Sequence, residues 1–206
     1  MTENTFQLPQ AVYDGIIARA RQGKPQEICG ILSGRGNKAS QLVRGQNVAS
    51  DPINDYVIDS QTLLLQFDFE ETGDEMVAIY HSHPITPAYP SASDAWSAHY
   101  PDCAYLICSL KNDAAPVLRA FRLIAHDQPF DLASLRAALD FFETRPGLFA
   151  FYQPDDQPIP PALKNISAHA PVPFYVIFQL PENEGKNFLS RVVSVIEHQI
   201  QITPDV

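Results

Sequence analysis

The sequence predicts an α/β protein in which helices pack on a mixed β-sheet. Strand-like and helix-like segments alternate through the first 125 residues, and this alternation is typical of a sheet covered by helices. The chain has 206 residues, of which 45% are hydrophobic, so it can bury a core without disulfides or structural metals. This length fits either one large domain or one compact domain with an appendage.

The first predicted elements are a helix and a β-hairpin. Apolar residues recur at helical spacing over residues 8–20, and Gly23 and Pro25 end that pattern. Residues 27–32 form a short apolar run that ends in a Ser-Gly-Arg-Gly turn, which predicts a strand followed by a hairpin. Residues 41–48 then provide the second strand of that hairpin.

Helices and buried strands are predicted in alternation after the hairpin. Asp59 or Ser60 can cap one helix, and Ser91 or Ser93 can cap another, because short polar side chains accept hydrogen bonds from the first backbone N–H groups of a helix. Buried strands are predicted at residues 76–80, 104–110 and 117–123. These elements complete the predicted α/β region.

Residues 126–206 are predicted to form a Pro-rich α+β extension of the α/β region. Ten of the 18 prolines lie in these residues, which separates them in composition from the rest. Amphipathic patterns predict helices at residues 131–143 and 186–200, and a β-rich run predicts a strand at 174–180. Residues 151–161 carry the signals of a loop. We expect this extension to bind a partner or to mediate dimerisation.

Charge and cysteine content restrict the function classes. The chain has 14 Lys and Arg against 24 Asp and Glu, a net charge of −10, which argues against nucleic acid or an anionic membrane as the main partner. The three cysteines are too few for a disulfide framework and suit a reducing cytosol. The sequence has neither a signal-peptide pattern nor an apolar run long enough to span a bilayer, so we expect a cytoplasmic protein.

One cluster of residues has the pattern of a metal site. His81 and His83 flank Ser82 on an extended segment, where side chains two residues apart point to the same side. Ser91 and Asp94 follow at the predicted start of a helix, so Asp94 can bring a carboxylate to the same metal. Two histidines and one carboxylate leave the fourth position of zinc to water, which is the arrangement of a catalytic site.

A zinc hydrolase also needs a general base and a donor for the developing oxyanion. Glu27 is the leading candidate for the base, because it opens a predicted strand whose next residues, Ile-Cys-Gly, leave little bulk beside it. Ser91 can donate a hydrogen bond to the oxyanion.

The whole pattern resembles the motif of the JAMM (MPN-plus, JAB) metalloprotease family. Glu27 is followed by His81-x-His83, seven residues, Ser91, two residues and Asp94, and the His-Ser-Asp spacing matches without a gap. The resemblance covers roughly residues 6–124. It is closest to small bacterial and archaeal members, which resemble peptidases that release cysteine from a sulfur carrier or modifiers from lysine.

The resemblance implies a fold, a cofactor and roles for five residues. The fold is a cytidine-deaminase-like mixed sheet flanked by helices, which makes residues 1–125 a metallopeptidase core. One zinc ion is bound by His81, His83 and Asp94, while Glu27 acts as general acid/base and Ser91 stabilises the oxyanion. The implied reaction is hydrolysis after the C-terminal glycine of a ubiquitin-like or sulfur-carrier protein, with either cysteine or lysine as leaving group.

Several alternatives remain open at this point. The protein can be a non-catalytic MPN-type scaffold, although such relatives lose the ligands that are present here. A RadC-like function is disfavoured by Ser82, where that branch usually has asparagine, and by the acidic charge. Cys29 can be a fourth ligand or a nucleophile, but a small buried residue is the simpler interpretation. We expect no nucleic-acid or membrane partner, and a homodimer is possible.

Overall fold

The computed structural model describes residues 4–126, 130–181 and 189–205, and these fall into two compact units. The first is built from the described residues of Met1–Tyr89, Asp102–Arg122 and Glu197–Val206, and the second from those of Pro90–Pro101 and Leu123–Ile196. The predicted division at residue 125 into a catalytic core and an extension stays a prediction. No helix among the described residues is long and apolar enough to cross a membrane.

The strands and helices have the following bounds. The first ten elements are β1 (Thr5–Pro9), α1 (Gln10–Gly23), β2 (Cys29–Arg35), β3 (Lys38–Gly45), α2 (Ser60–Glu71), β4 (Glu75–His83), α3 (Ala92–Trp96), β5 (Ala104–Ser109), β6 (Val117–His126) and α4 (Leu132–Ala138). The remaining elements are β7 (Phe142–Arg145), β8 (Leu148–Gln153), a 3₁₀ turn (Pro161–Leu163), α5 (Lys164–Ser167), β9 (Phe174–Gln179) and β10 (Leu189–Thr203). Strands β6 and β10 each contribute residues to both units.

The first unit contains a mixed sheet, so the predicted α/β class is confirmed. Its strand order is β1-β3-β2-β4-β5-β6, and the end of β10 pairs with β1. Strand β4 runs parallel to β5 and antiparallel to β2, which places β4 between two partners in the middle of the sheet. Helix α1 buries Val12, Ile16 and Ala20 in the core formed with this sheet, as its apolar spacing predicts.

A partly buried arginine ties α1 to three strands of the sheet. The Arg19 guanidinium donates to the Cys29 carbonyl at 2.7 Å, to the Tyr80 hydroxyl and to the Gly45 carbonyl. Tyr80 in turn donates to the Val43 carbonyl at 3.2 Å. Because several charge-assisted hydrogen bonds converge on one side chain, Arg19 fixes the position of β2 beside β4.

The second helix begins at the cap that its sequence predicts. The Asp59 carboxylate accepts hydrogen bonds from the Thr62 hydroxyl at 2.7 Å, the Thr62 N–H at 2.9 Å and the Gln46 N–H at 2.8 Å. These bonds, led by the one from the hydroxyl, hold the pKa of Asp59 below its ordinary value. Asp59 therefore anchors the loop before α2 to the end of β3.

The second unit contains the antiparallel strand order β7-β8-β9-β10. Its apolar core joins Leu135 of α4 to Phe174 and Val176 of β9. The Asp131 carboxylate caps α4 by accepting the N–H groups of Ala133 and Ser134. This unit also includes α3, the short helix that follows the predicted metal ligands of β4.

Three predictions in the C-terminal part were wrong. The helix predicted at 131–143 ends at Ala138, because Phe142 pairs with β8 in a hairpin. The helix predicted at 186–200 is strand β10 at all its described positions, while residues 186–188 lie outside the described residues. The loop predicted at 151–161 begins only after Gln153, the last residue of β8. Pairing between strands overrides the local helical spacing in this region.

Candidate metal centre

The two predicted histidine ligands lie at the end of β4. His81 is fully buried and His83 is 5% exposed, and both project from the same face of the strand because strand side chains alternate. Ser82 points to the opposite face, where its hydroxyl accepts the Ile28 N–H at 2.9 Å and its own N–H donates to the Ile28 carbonyl at 3.0 Å. Ser82 therefore pairs this end of β4 with the residues that precede β2.

Hydrogen bonding defines which ring nitrogen of His83 is available to bind a metal. Its Nδ1 lies 2.8 Å from the Pro87 carbonyl, and a carbonyl only accepts, so Nδ1 carries the proton. The Nε2 of a neutral His83 then presents a lone pair, and it lies 3.1 Å from the Nε2 of His81. This separation is that of a hydrogen bond between the two rings, and it also suits two nitrogens that bind one cation. An N–H donated to a carbonyl is the usual support of a metal-bound histidine.

Tyr56 packs on the other histidine. Its ring stacks on His81 with centroids 4.2 Å apart and planes 18° from parallel. Asn47 organises the loop that carries Tyr56, since its side-chain oxygen accepts the Val57 N–H at 3.1 Å and its amide donates to the Asp55 carbonyl at 3.0 Å. The contact of Tyr56 with His81 was not predicted from the sequence.

Glu27 lies two residues before β2 and is only 7% exposed. Its N–H donates to the Pro52 carbonyl at 2.7 Å, and its carbonyl accepts the Asn47 amide at 2.9 Å. In the pairing of β2 with β4, Cys29 lies opposite His81, so continuing this register by two residues sets Glu27 opposite His83. Glu27 thus shares a face of the sheet with both histidines.

Asp94 and Ser91 form a reciprocal cap at the start of α3. The Ser91 hydroxyl accepts the Asp94 N–H at 3.1 Å, and the Asp94 Oδ2 accepts the Ser91 N–H at 2.7 Å. This capping box satisfies two backbone donors and fixes the orientation of the Asp94 carboxylate, which is only 5% exposed. Ser91 is therefore the cap, as predicted, although the helix ends at Trp96 and not near His99.

One ligand atom from each of His81, His83 and Asp94 comes together, all within 4.8 Å of one another. Two imidazole nitrogens and one carboxylate oxygen form a donor set that zinc accepts in catalytic sites, with a fourth position left over. The residues present therefore fit a zinc ion. The catalytic roles of Glu27 and Ser91 stay predictions.

The remaining cysteines and histidines lie in other environments. Burial raises the pKa of the Cys29 thiol to about 12, so it is protonated at neutral pH and lacks the thiolate that a nucleophile needs. His126 lies 2.9 Å from the Ser194 hydroxyl, and His99 is exposed. Neither histidine belongs to the cluster formed by His81, His83 and Asp94.

Comparison with known proteins points to one family. Residues 9–124 match the family described as prokaryotic homologs of the JAB domain. A desampylase from Haloferax volcanii is 35% identical over 116 residues, which cover 53% of this chain and 84% of that protein. The CysO-cysteine peptidase of Mycobacterium tuberculosis is 33% identical over 114 residues, which cover 54% of this chain and 77% of that protein.

A solved structure shares the fold of the same region. A protein from Desulfitobacterium hafniense aligns with a TM-score of 0.51 at 34% identity, over 57% of this chain and 83% of that one. The relatives and this structure match a little over half of the chain, and residues beyond 124 lie outside the family match.

Proposed function

The chain belongs to the JAB domain family, in its prokaryotic branch, and we propose on this basis that it is a zinc-dependent peptidase of ubiquitin-like or sulfur-carrier proteins. The named relatives are peptidases or isopeptidases, and the protein is accordingly a hydrolase. One observation carries the proposal: in a chain of this family, the ligand atoms of His81, His83 and Asp94 lie within 4.8 Å of one another.

His81, His83 and Asp94 are the residues that hold the zinc ion in this proposal. When bound, zinc polarises the scissile carbonyl and lowers the pKa of water. The protein orients two of the ligands through hydrogen bonds, from His83 Nδ1 to the Pro87 carbonyl and from the Ser91 N–H to Asp94. Such supporting partners are as much part of a metal site as the ligands themselves.

Glu27 moves the protons of the reaction. Its carboxylate takes a proton from the attacking water and delivers it to the departing amine, which completes hydrolysis of the amide bond. Ser91 acts on the oxygen of the scissile carbonyl. Because the Ser91 oxygen accepts the Asp94 N–H, its O–H proton is directed elsewhere and can be donated to the developing oxyanion.

The proposed substrate is the C-terminal glycine of the modifier, joined to an amine. Cysteine and the side chain of lysine both leave as amines, and the site chemistry is the same for both. An extended glycine tail can lie along a sheet edge and be held by main-chain hydrogen bonds.

A mass-spectrometric assay tests this function and identifies the leaving group. The zinc-loaded protein is offered a sulfur carrier with one cysteine added after its C-terminal glycine, and the same carrier joined to a lysine side chain. We expect at least one substrate to lose the mass of its leaving group, in a reaction that a chelator stops and added zinc restores. The carrier that ends at glycine is the control. If zinc-loaded protein cleaves neither conjugate, the proposed function is wrong.

Replacement of Cys29 separates zinc chemistry from cysteine chemistry. We expect Cys29→Ala to leave kcat unchanged and to lower the free energy of unfolding by about 1 kcal/mol through a small cavity. Cys108→Ala is the matched control, since burial also raises the pKa of the Cys108 thiol to about 12 and this residue lies on β5. A large loss of kcat in Cys29→Ala but not in Cys108→Ala would place the thiol in the reaction.

A further inference from the structure

We propose that the C-terminal strands position the ligand Asp94, and that Tyr175 is the positioning residue at the start of the segment that carries it. This inference rests on the proposed function. It concerns the segment Pro90–Pro101, called the Asp94 segment below, which belongs to the same compact unit as strands β7–β9. Residues beyond 124 lie outside the family match, so they add this support to the shared part of the chain.

Tyr175 holds the first residue of the Asp94 segment. Its hydroxyl donates to the Pro90 carbonyl at 2.9 Å, and this carbonyl belongs to the same peptide group as the Ser91 N–H. The side chain is 6% exposed, and burial first, then the nearby Tyr152 and Asp94, raise its pKa above the ordinary value. The hydroxyl therefore keeps its proton and donates over the whole working pH range.

Arg191 and Thr144 contact the same segment further along. The Arg191 guanidinium donates to the Trp96 carbonyl at 2.7 Å and lies 4.9 Å from the centre of the Trp96 ring. The Thr144 hydroxyl lies 3.4 Å from that of Ser93. Contacts from β9, β7 and β10 thus reach the residue before the cap, the middle and the end of the helix that carries Asp94.

Helix α3 cannot hold the Asp94 segment in place by itself. Helix α3 has only five residues, and isolated helices much shorter than about 12 residues are not stable in water. The capping box points the Asp94 carboxylate, but only while the turn itself is held in place. The hydrogen bond from Tyr175 holds the peptide whose N–H donates to Asp94 in that box, so its loss loosens the Ser91 and Asp94 amides together.

The test compares Tyr175→Phe with a matched control in the same unit. Ser194 is also a fully buried hydroxyl that donates to a proline carbonyl, that of Pro171, at 2.7 Å, but Pro171 lies outside the Asp94 segment. We expect Tyr175→Phe to weaken zinc affinity by about tenfold to a hundredfold, the usual range for loss of support around a metal site. We expect kcat to fall with little change in KM, and Ser194→Ala to leave zinc affinity and kcat at the wild-type level.

Hydrogen–deuterium exchange on the zinc-free protein gives a readout that depends on neither metal nor activity. Faster exchange over residues 91–96 in Tyr175→Phe, but not in Ser194→Ala, supports the inference even if no substrate is cleaved. Arg191→Gln is a second variant with the same expected direction. Wild-type exchange, zinc affinity and kcat in Tyr175→Phe would overturn the inference, and absence of cleavage by the wild type would overturn only the proposed function.

Discussion

Glu27→Gln is expected to lower kcat by about 10³-fold, within the range that general acid–base catalysis contributes. Glutamine has nearly the same shape, so the backbone bonds of this residue to Pro52 and Asn47 are unaffected. The amide cannot take the proton of the attacking water or return it to the departing amine. The loss therefore falls on the proton transfers, and zinc affinity and folding stay at the wild-type level.

Zinc affinity, thermal unfolding and kcat of this variant are measured together. Glu71→Gln is the matched control, because it makes the same chemical change on the exposed last turn of α2. Turnover at the wild-type rate in Glu27→Gln would exclude Glu27 as the general base. Loss of zinc binding in this variant would instead identify it as a ligand.

The sequence predicted those parts of the structure whose signals are local. The apolar spacing in α1, the caps at Asp59 and Ser91 and the buried character of β4 each depend on residues only a few positions apart along the chain. The ligand set follows the same rule, because His81 and His83 share a strand face and Asp94 lies three residues after a helix cap. Local backbone geometry sets the two histidines on one face of the strand and orients the Asp94 carboxylate within its cap.

Contacts between distant residues left no such signal. Tyr175 and Arg191 reach Pro90 and Trp96 across 85 and 95 positions of sequence, and no pattern in a short window reveals such a partner. The same limit explains why the helix predicted at residues 186–200 was wrong. Its apolar residues fit helical spacing, but many of them are β-branched, and pairing with β9 and β1 decides the outcome.

His83→Ala is expected to remove the zinc-dependent part of the stability as well as cleavage. A ligand that binds only the native state stabilises it, by about 2.7 kcal/mol at a concentration of 100 times Kd. We therefore expect zinc at this concentration to raise the free energy of unfolding of the wild type by about that amount. The variant should gain nothing, because two remaining ligands hold zinc too weakly, and its kcat should fall below detection.

Chemical unfolding with and without zinc checks this, with His99→Ala as the control for loss of an exposed histidine outside the ligand set. Equal stabilisation of His83→Ala and the wild type would exclude His83 as a ligand. The wild type by itself separates an enzyme from a scaffold. A scaffold that kept the fold without using the site would show no stabilisation by zinc. If His81, His83 and Asp94 support hydrolysis, the stabilisation by zinc and the cleavage are both lost in His83→Ala.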